Sequence, residues 1–546
     1  MCGMSPQYAL RRIRPPDIKV IICIDPVSHI SPLVIIPCGQ GGIVLRRTTP
    51  IFYSALMLTG VNLLLRMVST SFQVFLSGRI GAAGIGLLQL VLSVGSLAMT
   101  AGVAGIRTAS MYLTAEELGK GRPGNVTWVL SGCTLYSLLF SCAVGSGLFL
   151  FAPWLSEHWI GDPDAVGAVR LFASFLPVCC MTGVMVGYFT AANRIGTLAA
   201  VEVAEQALSM AATVGALCFW AGDDPGKAAM AVVAGSGIGA CLTLICLVIL
   251  RCKEKAPTGR RIPVARRLRQ TALPLALADD LKAGITTAEN LMVPKRLALF
   301  HGAGDPLALF GTVCGMVFPV LMFPACILFG LTELLIPELA RCNAAGSQIR
   351  IRYLVRRSLR LALLYGTVCG CILYLCSDAL CLRLYDSTEA GQYLGWFSCL
   401  TVMLYCDIVT DAMIKGLGQQ KASVRYNIIT SVMDLVLLFF LLPAYGIGGY
   451  FFSFALTHAV NFALSLRRLL KISGVRVPFH VPALTLGCGV IAVSIAGLVH
   501  RPILKAVCFL LILISLLSLF KVISRNDLLW LQGLIRTKKH QPTAVG

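Results

Sequence analysis

Charged residues are scarce in this sequence: Asp, Glu, Lys and Arg supply only 13% of its 546 residues, whereas hydrophobic residues supply 57%. Soluble globular domains usually contain about a quarter charged residues, because their surfaces must be solvated. The mean hydropathy of +0.81 is correspondingly high. This shortage of charge excludes most classes of soluble enzyme and nucleic-acid-binding protein, and it predicts an integral membrane protein.

The sequence also lacks the spacings that bind metals or assemble a catalytic group. The 22 cysteines lie mostly singly or in close pairs inside apolar segments, and the seven histidines form no HExxH pair. Cysteine in such a setting packs as a small hydrophobic residue. We therefore expect no metal site, no catalytic residue and no cofactor, and an integral-membrane enzyme is the least favoured class.

Long apolar runs follow one another from Ile51 onward, and about 20 such residues cross a bilayer core of about 30 Å. Hydropathy windows predict an all-α polytopic membrane protein with about fourteen spanning helices. The predicted spans are Ile51 to Gln73, Ile85 to Ser110, Val126 to Phe151, Ala165 to Thr190, Leu198 to Trp220, Ala228 to Leu250, Thr271 to Leu291, Leu307 to Leu331, Tyr353 to Leu375, Tyr393 to Met413, Ile428 to Leu442, Ile447 to Leu466, Val481 to Val499 and Ile503 to Ile523.

Basic residues indicate the orientation of these helices. Lys and Arg accumulate in the cytoplasmic loops of membrane proteins, and alternate loops here are strongly basic, with eight Lys and Arg residues between Arg251 and Arg269. We expect a multi-pass protein of the cytoplasmic membrane, with both ends of the helical region cytoplasmic. The net charge of +21 is then a topology signal, and no nucleic-acid partner is expected.

The first 48 residues do not fit this pattern. Their apolar stretch is interrupted by charged and proline residues such as Asp25 and Pro26, so it cannot cross the bilayer or serve as a signal-peptide core. Two explanations stay open. Either residues 1–48 are a short cytoplasmic extension, or translation begins at Val44 or Leu45.

Two weak internal matches divide the rest of the chain. Gly81-Ala82-Ala83 resembles Gly302-Ala303-Gly304, and Tyr188 to Met210 aligns with Ala412 to Asp434. Their similar offsets predict two pseudo-symmetric lobes of six helices, as in transporters built from repeats. The predicted divisions are 49–250 for the first lobe, 251–270 for a basic cytoplasmic linker, 271–467 for the second lobe, 468–525 for two further helices and 526–546 for a basic cytoplasmic tail.

Charged side chains inside the spans are the candidate functional residues. Each costs about 2.5 to 3.5 kcal/mol at the bilayer centre, so each needs a water-filled cavity or a partner. The candidate head-group contacts are the basic residues Arg66, Arg107 and Lys282. The candidate ion-coupling or cavity acids are Glu202, Glu205, Asp279, Asp280, Glu289, Asp407 and Asp434.

Some of these charges have simpler explanations. Asp279 and Lys282 are three residues apart and can form a structural pair, an explanation that stays level with a functional role. Arg107, Glu333 and Asp411 lie near helix ends, and for them we favour contact with water or lipid head groups. The predicted seventh span carries the most polar residues and is expected to be kinked or interrupted.

Several segments resemble a known family. They are residues 81–90 (GAAGIGLLQL), 290–297 (NLMVPKRL), 335–338 (LIPE) and 415–421 (KGLGQQK). They are similar to polysaccharide-exporter-like proteins of the stage V sporulation protein B group, in the superfamily that also holds MurJ-type lipid II flippases and MATE multidrug extruders. The resemblance implies a V-shaped transporter with a central cavity that opens alternately to either face. It also implies that Arg66 matches an arginine that this family places in its first helix.

These features support a flippase that moves a lipid-linked oligosaccharide or peptidoglycan precursor, for sporulation, cell-wall or polysaccharide biosynthesis. Arg66, Lys282 and Arg107 would contact its pyrophosphate, and Glu205, Glu289 and Asp434 are candidate proton or sodium sites. Membrane potential is a further energy source. A cation-coupled extruder of the MATE type and a transport-dead scaffold for cell-wall synthesis stay open as alternatives. The expected partners are the lipid-linked saccharide and the bilayer, and a monomer is compatible with the sequence.

Overall fold

The computed structural model describes residues Ile35–Pro37, Ile43–Leu45 and 49–520, except for 104, 193, 223, 255–263, 302–303, 476–479 and 500. For 35–37, 43–45, 49–59, 62, 119, 195, 264–267, 269–275, 277–278 and 333–334 it describes the backbone alone. The question of whether translation begins at Val44 or Leu45, and most of the N-terminal segment it concerns, lie outside this description, as does the predicted basic tail.

Helices make up nearly all of the described chain. They are α1 Thr49–Val103, α2 Ile106–Gly119, α3 Asn125–Leu155, α4 Ala165–Ala191, α5 Ile195–Ala216, α6 Pro225–Cys252, α7 Val264–Leu297, α8 Pro306–Gly311, α9 Phe318–Met322, α10 Cys326–Ala344, α11 Gln348–Tyr385, α12 Thr388–Ser398, α13 Thr401–Gly416, α14 Gln420–Ser473, α15 His480–Ala496 and α16 Pro502–Leu519. Short π-helical turns occupy Ser156–Ile160, Leu217–Ala221 and Thr312–Val317. Ahead of the helices, β1 (Ile35–Pro37) pairs antiparallel with β2 (Ile43–Leu45), and Ile36 lies opposite Val44.

Two of these helices are pairs of spans joined at a glycine. Gly81 divides α1 at φ 74° and ψ 176°, and Gly446 divides α14 at φ 58° and ψ −135°. Residues with a side chain rarely adopt such positive φ angles, so glycine allows the chain to turn there. In the described residues, eight helices are long and apolar enough to cross a membrane, or ten if each of two bent pairs is one span. Dividing α1 and α14 and adding α7 and α15 gives the fourteen segments predicted from the sequence.

The breaks do not fall in the predicted seventh span. That span is not interrupted, since α7 is one continuous helix over Val264–Leu297. The sharp bends lie elsewhere: 60° between Pro306–Met322 and Cys326–Ala344, and 57° between Thr388–Ser398 and Thr401–Gly416. Charged side chains leave the backbone hydrogen bonds of a helix intact, and α7 stays continuous although it contains Pro274 and Pro294.

Asp-Pro pairs begin two of the helices. Asp224 precedes Pro225 and accepts hydrogen bonds from the backbone N–H groups of Gly226 and Lys227, and Asp305 precedes Pro306 and accepts from Leu307. A carboxylate there satisfies free helix donors, and proline fits the first helical position because it has no N–H to lose. The Lys227 and Gly226 hydrogen bonds lower the pKa of Asp224 from its ordinary value.

Helix packing forms two bundles. The first contains α1 to α6, and the second contains α7 to α14, with α15 and α16 packed on the outside of α11. The bundles meet where the second segment of α1 crosses α8. A Cβ atom added to Gly311 would lie 1.9 Å from the carbonyl oxygen of Ala82, and one on Gly86 would lie 2.4 Å from that of Leu307. Only glycine permits the two backbones to approach so closely.

The loops form two faces. We call the side that carries loops 120–124, 192–194, 345–347 and 417–419 the basic face, and the other side the opposite face. On the basic face the Tyr188 hydroxyl donates to Glu254, which also pairs with Arg194 at 2.5 Å. On the opposite face the Lys295 ammonium, at the end of α7, donates to the carbonyl of His158 and so joins the two bundles.

Candidate functional site

Arg66 lies on the first segment of α1 and is exposed. Its guanidinium carbon lies 3.9 Å from the centre of the Phe329 ring, which belongs to α10 of the second bundle. A guanidinium stacked on an aromatic ring is favourable and still presents its N–H groups at its edge. Arg66 therefore reaches across the boundary between the bundles, and its guanidinium donates no hydrogen bond to another described residue.

Arg107 and Glu202 form a second charged group within the first bundle. Arg107 is exposed on α2, where its backbone packs against Gly187 of α4, and Glu202 is half-buried on α5 and interacts electrostatically with it. One turn further along α5, Glu205 accepts a hydrogen bond of 2.6 Å from the Thr243 hydroxyl of α6. The structure thus brings Arg107 together with Glu202 and holds Glu205 against α6.

The middle of α7 carries Asp279, Asp280 and Lys282. Asp279 and Lys282 are exposed, and the described residues show no ion pair between them. Asp280 interacts electrostatically with Tyr136 of α3, and its Oδ1 atom and the Tyr136 hydroxyl are both buried without a hydrogen-bond partner among the described residues. This is a second place where polar groups of the two bundles face each other.

A half-buried pair of acids lies in the second bundle. Glu289 of α7 is hydrogen-bonded to Asp434 of the first segment of α14. Asp434 also accepts hydrogen bonds from the hydroxyls of Ser453, at 2.5 Å, and Thr457, at 3.4 Å. Two carboxyl groups can share a hydrogen bond only if one of them carries a proton. We call Glu289 and Asp434 the acid pair.

Asp407 and Asp411 lie one turn apart on α13. The Asn461 amide of α14 donates to Asp407 at 3.0 Å. Asp411 accepts from the Ser423 hydroxyl and pairs with Lys415 at 2.6 Å, close to the basic face. The expectation that Asp411 reaches water is consistent with its exposed fraction of 23%. The side chain of Glu333 lies outside the described residues.

Several polar residues of this region were not among the sequence candidates. They are Tyr136, Ser453, Thr457, His458 and Asn461. Ser453, Thr457 and Asn461 recur every four residues in an apolar helix, which places them on one face. That periodicity was the available signal in the sequence. Neutral polar side chains cost much less free energy in a membrane than charged ones, so they do not stand out as candidates.

An apolar pocket of about 660 Å³ lies beside the bundle boundary. The second segment of α1 contributes Val94 and Ala101, α3 contributes Val144 and Phe151, and Trp159 lies at its end on the opposite face. Next to it, Thr287 and Asn290 of α7 donate hydrogen bonds to Ser93. In the described part of the chain, no three His, Cys, Asp or Glu residues are grouped so that they could hold a metal ion.

Comparisons with known proteins give one consistent answer. A family model described as polysaccharide biosynthesis protein matches residues 52–272. Stage V sporulation protein B of Bacillus subtilis (strain 168) is 22% identical over 407 residues, which are 72% of this chain and 78% of that protein. The resemblance predicted from the motifs is therefore confirmed.

Solved structures agree on the fold. The lipid II flippase MurJ, in an inward closed conformation, matches 85% of this chain and 98% of its own with a TM-score of 0.62 and 11% identity. An inward-facing multidrug resistance MATE family transporter of the MOP superfamily matches 77% of this chain and 100% of its own, with a TM-score of 0.61 and 12% identity. The chain is a multi-pass membrane protein with the fold of this superfamily, as the sequence predicted.

Proposed function

We propose that the protein is a flippase for a polyprenyl-pyrophosphate-linked saccharide of cell-wall, spore or polysaccharide synthesis. The barrier to this movement is the passage of a charged sugar head group through about 30 Å of hydrocarbon. Its relatives by sequence carry the names polysaccharide biosynthesis protein and stage V sporulation protein B, and MurJ, which shares its fold, is named as a lipid II flippase.

The observation that carries this proposal is the placement of charge along the boundary between the bundles. Arg66 reaches toward α10 and Asp280 toward α3. A different rotation of either helix about its axis would have placed these side chains against lipid. Lys282 and Arg107 are exposed on α7 and α2, which contact each other. Arginine binds two phosphate oxygens with one planar fork, so this boundary suits a pyrophosphate.

The apolar pocket supplies a place for the start of the prenyl chain. It adjoins Ser93, where the bundles are hydrogen-bonded, and its lining is almost wholly hydrocarbon and aromatic. A lipid whose head group lies at the boundary can keep its first isoprene units in this pocket and the remainder in the bilayer. The cost of exposing that chain to water is thereby avoided.

The acid pair is the proposed coupling site. Loss or gain of the proton shared by Glu289 and Asp434 changes the charge buried between α7 and α14, and a buried unpaired charge is costly. Proton exchange there can therefore bias one packing of these helices over another. Membrane potential contributes about 2.3 kcal/mol per charge for each 100 mV. Glu205, hydrogen-bonded to Thr243, is a weaker candidate because it lies within a single bundle.

We propose that the basic face is cytoplasmic, since Lys and Arg are retained on that side of membrane proteins. Both ends of the helical region would then be cytoplasmic. The proposed lobes are 49–250 and 271–467, joined by the basic linker 251–270, with 468–525 forming the two added helices.

The test is a leaflet-accessibility assay on the full-length protein in phospholipid vesicles. The probe is a fluorescent short-chain polyprenyl-pyrophosphate-linked disaccharide, and a membrane-impermeant quencher reports its leaflet. Wild-type protein should make both leaflets accessible, while protein-free vesicles should protect about half of the probe, the share in the inner leaflet. No difference between the two preparations would contradict the proposal.

A MATE-type extruder is the second candidate, favoured by the excess of acids over bases in the spans and by the shared fold. Acids at the boundary would then hold a cationic substrate. Export of a cationic dye from the same vesicles, with no movement of the lipid probe and with dependence on Asp280, would favour this alternative over the flippase.

A further inference from the structure

The second segment of α14 (residues 447–473) carries an unusual buried face. Polar residues recur on it every four positions, a spacing of about 6 Å along the helix. They are Ser453, Thr457, Asn461 and Ser465, all buried. We call them the polar stripe. Small and polar residues are common where membrane helices pack closely, so the significance of the polar stripe lies in the groups that it contacts.

The end of the polar stripe nearest the opposite face contacts the acid pair. Ser453 and Thr457 donate hydrogen bonds to Asp434, which is bonded in turn to Glu289. His458 follows Thr457, interacts electrostatically with Asp434, and has a buried Nδ1 atom without a hydrogen-bond partner in the described part of the chain. Titratable and hydroxyl groups thus continue from the acid pair toward the basic face.

The middle of the stripe contacts α13. The Asn461 amide donates to Asp407 Oδ2, which leaves Asp407 Oδ1 and Asn461 Oδ1 buried with no donor among the described residues. Asn461 is only 7% exposed. Two unsatisfied acceptors this close together cost free energy, unless a proton or a water molecule supplies the missing donor. The arrangement therefore suits a proton that is present part of the time.

Toward the basic face, the polar groups continue on α13 to the protein surface. Asp411 lies one turn beyond Asp407 on α13, is paired with Lys415 and Ser423, and is partly exposed at the basic face. Among the described residues, the charged groups that act on Asp407 are Asp411 and Lys415, and the face of α14 presents Asn461 to it. These groups form a chain from the acid pair to the basic face, in which one helical turn of about 6 Å separates Thr457 from Asn461.

We propose that this chain is a proton path between the acid pair and the basic face. A proton leaves the acid pair, passes along His458 and the Thr457 hydroxyl to Asp407 Oδ1, and moves to Asp411, from which it enters water. One proton leaves the pair and one reaches the aqueous phase, so no other reactant is needed. The path rests on the proposed function, because it connects the proposed coupling site to a compartment.

A proton suits this path better than a sodium ion. Asn461 and Asp407 are already in hydrogen-bond contact, so a metal ion could pass only if α13 and α14 separated. A proton instead moves between neighbouring groups across hydrogen bonds, with water molecules completing short gaps. The alternating acid, histidine, hydroxyl and amide groups supply the donors and acceptors that such transfer requires.

The test uses full-length protein in vesicles with a trapped pH dye, the lipid-linked disaccharide probe and an imposed pH gradient. Asp407→Asn preserves the size of the side chain and the contact with Asn461, yet it cannot carry the proton. We expect gradient-driven proton movement to fall roughly tenfold or more. The swap Asp407→Asn with Asn461→Asp returns an acid to the same contact and should restore at least part of the flux. Glu338→Gln, at the basic face but outside the path, is the matched control and should behave as wild type.

Asp411→Asn is a second, independent test. Asp411 is partly exposed, so its substitution should disturb folding less, and it should slow proton movement less than Asp407→Asn does. Wild-type proton movement in both Asp407→Asn and Asp411→Asn, with probe translocation intact, would overturn the path while leaving the flippase in place. Absence of probe translocation by the wild-type protein would instead overturn the proposed function. Sodium-dependent translocation with no proton movement would also contradict the path.

Discussion

The two bundles treat their charged residues differently. In the first, Arg66 and Arg107 are exposed, and Arg66 reaches toward the other bundle. In the second, Asp434 and Asp407 are enclosed in hydrogen bonds from hydroxyl and amide groups. Exposed cations can bind and release a large anion, whereas enclosed acids change the packing around them when they gain or lose a proton. We propose from this difference that the exposed cations of the first bundle, together with Lys282 of α7, bind the substrate, and that the enclosed acids of the second bundle couple transport to energy.

The largest effect should follow neutralisation of the acid pair. Glu289→Gln fixes one member in a neutral form and prevents the exchange of the shared proton. Because the pair can then no longer exchange a proton, gradient-driven translocation should fall about 100-fold. Downhill equilibration of the lipid probe should fall much less. Asp305→Asn, a change at a helix start that keeps a good capping residue, is the control. Equal losses in driven and downhill movement would contradict a coupling role.

Removal of the proposed head-group contact should have the next largest effect. Arg66→Ala removes a charged donor whose hydrogen bonds are worth about 1.5 to 3 kcal/mol, so translocation of the pyrophosphate probe should fall by about tenfold to 100-fold. The translocation rate of Arg66→Lys should lie between those of the wild type and Arg66→Ala, because lysine keeps the charge but lacks the planar guanidinium group. Arg79→Ala tests the loss of an exposed arginine further along the same helix segment. An unchanged probe rate in Arg66→Ala, with dye export abolished, would support the extruder instead.

Closure between the bundles should be sensitive to one methyl group. In Gly311→Ala the new Cβ would lie 1.9 Å from the Ala82 carbonyl oxygen, so the backbones of α1 and α8 must separate. Such overpacking costs about 1 to 3 kcal/mol, and we expect a lower thermal stability and a shift toward opening on the opposite face. Gly215→Ala, where nothing lies within 4 Å of the new atom, should be neutral. Comparable losses in both variants would show that the contact between bundles is unimportant.

The smallest effect concerns an acid held inside the first bundle. Thr243→Val removes the hydroxyl that donates to Glu205 and should lower the stability by about 1 kcal/mol, because it leaves a half-buried carboxylate without that donor. Transport should change little. The control is Thr485→Val, whose hydroxyl bonds only to its own helix at Val481. A large transport defect in Thr243→Val with normal stability would move the coupling site into the first bundle.

Composition and periodicity were enough to predict the fourteen helical segments and the candidate charges, because a membrane span needs a long apolar run and tolerates few ionised groups. They could not predict that α7 stays continuous while the chain turns at Gly446, since helix continuity depends on backbone geometry and neighbouring helices. The pairing of Glu289 with Asp434 was equally hidden. It is set by the packing of α7 on α14, which joins residues far apart in the chain.

Cross-linking offers the most direct test of whether charged groups at the bundle boundary bind an anionic lipid head. A photoreactive group beside the pyrophosphate of the lipid probe would be activated in vesicles, and the labelled peptides would be mapped by mass spectrometry. Labelling should concentrate around Arg66, Arg107 and Lys282 and should decline when excess unlabelled pyrophosphate lipid is added. Labelling confined to outward apolar residues such as Ile491 and Ile514, with no competition, would contradict the account.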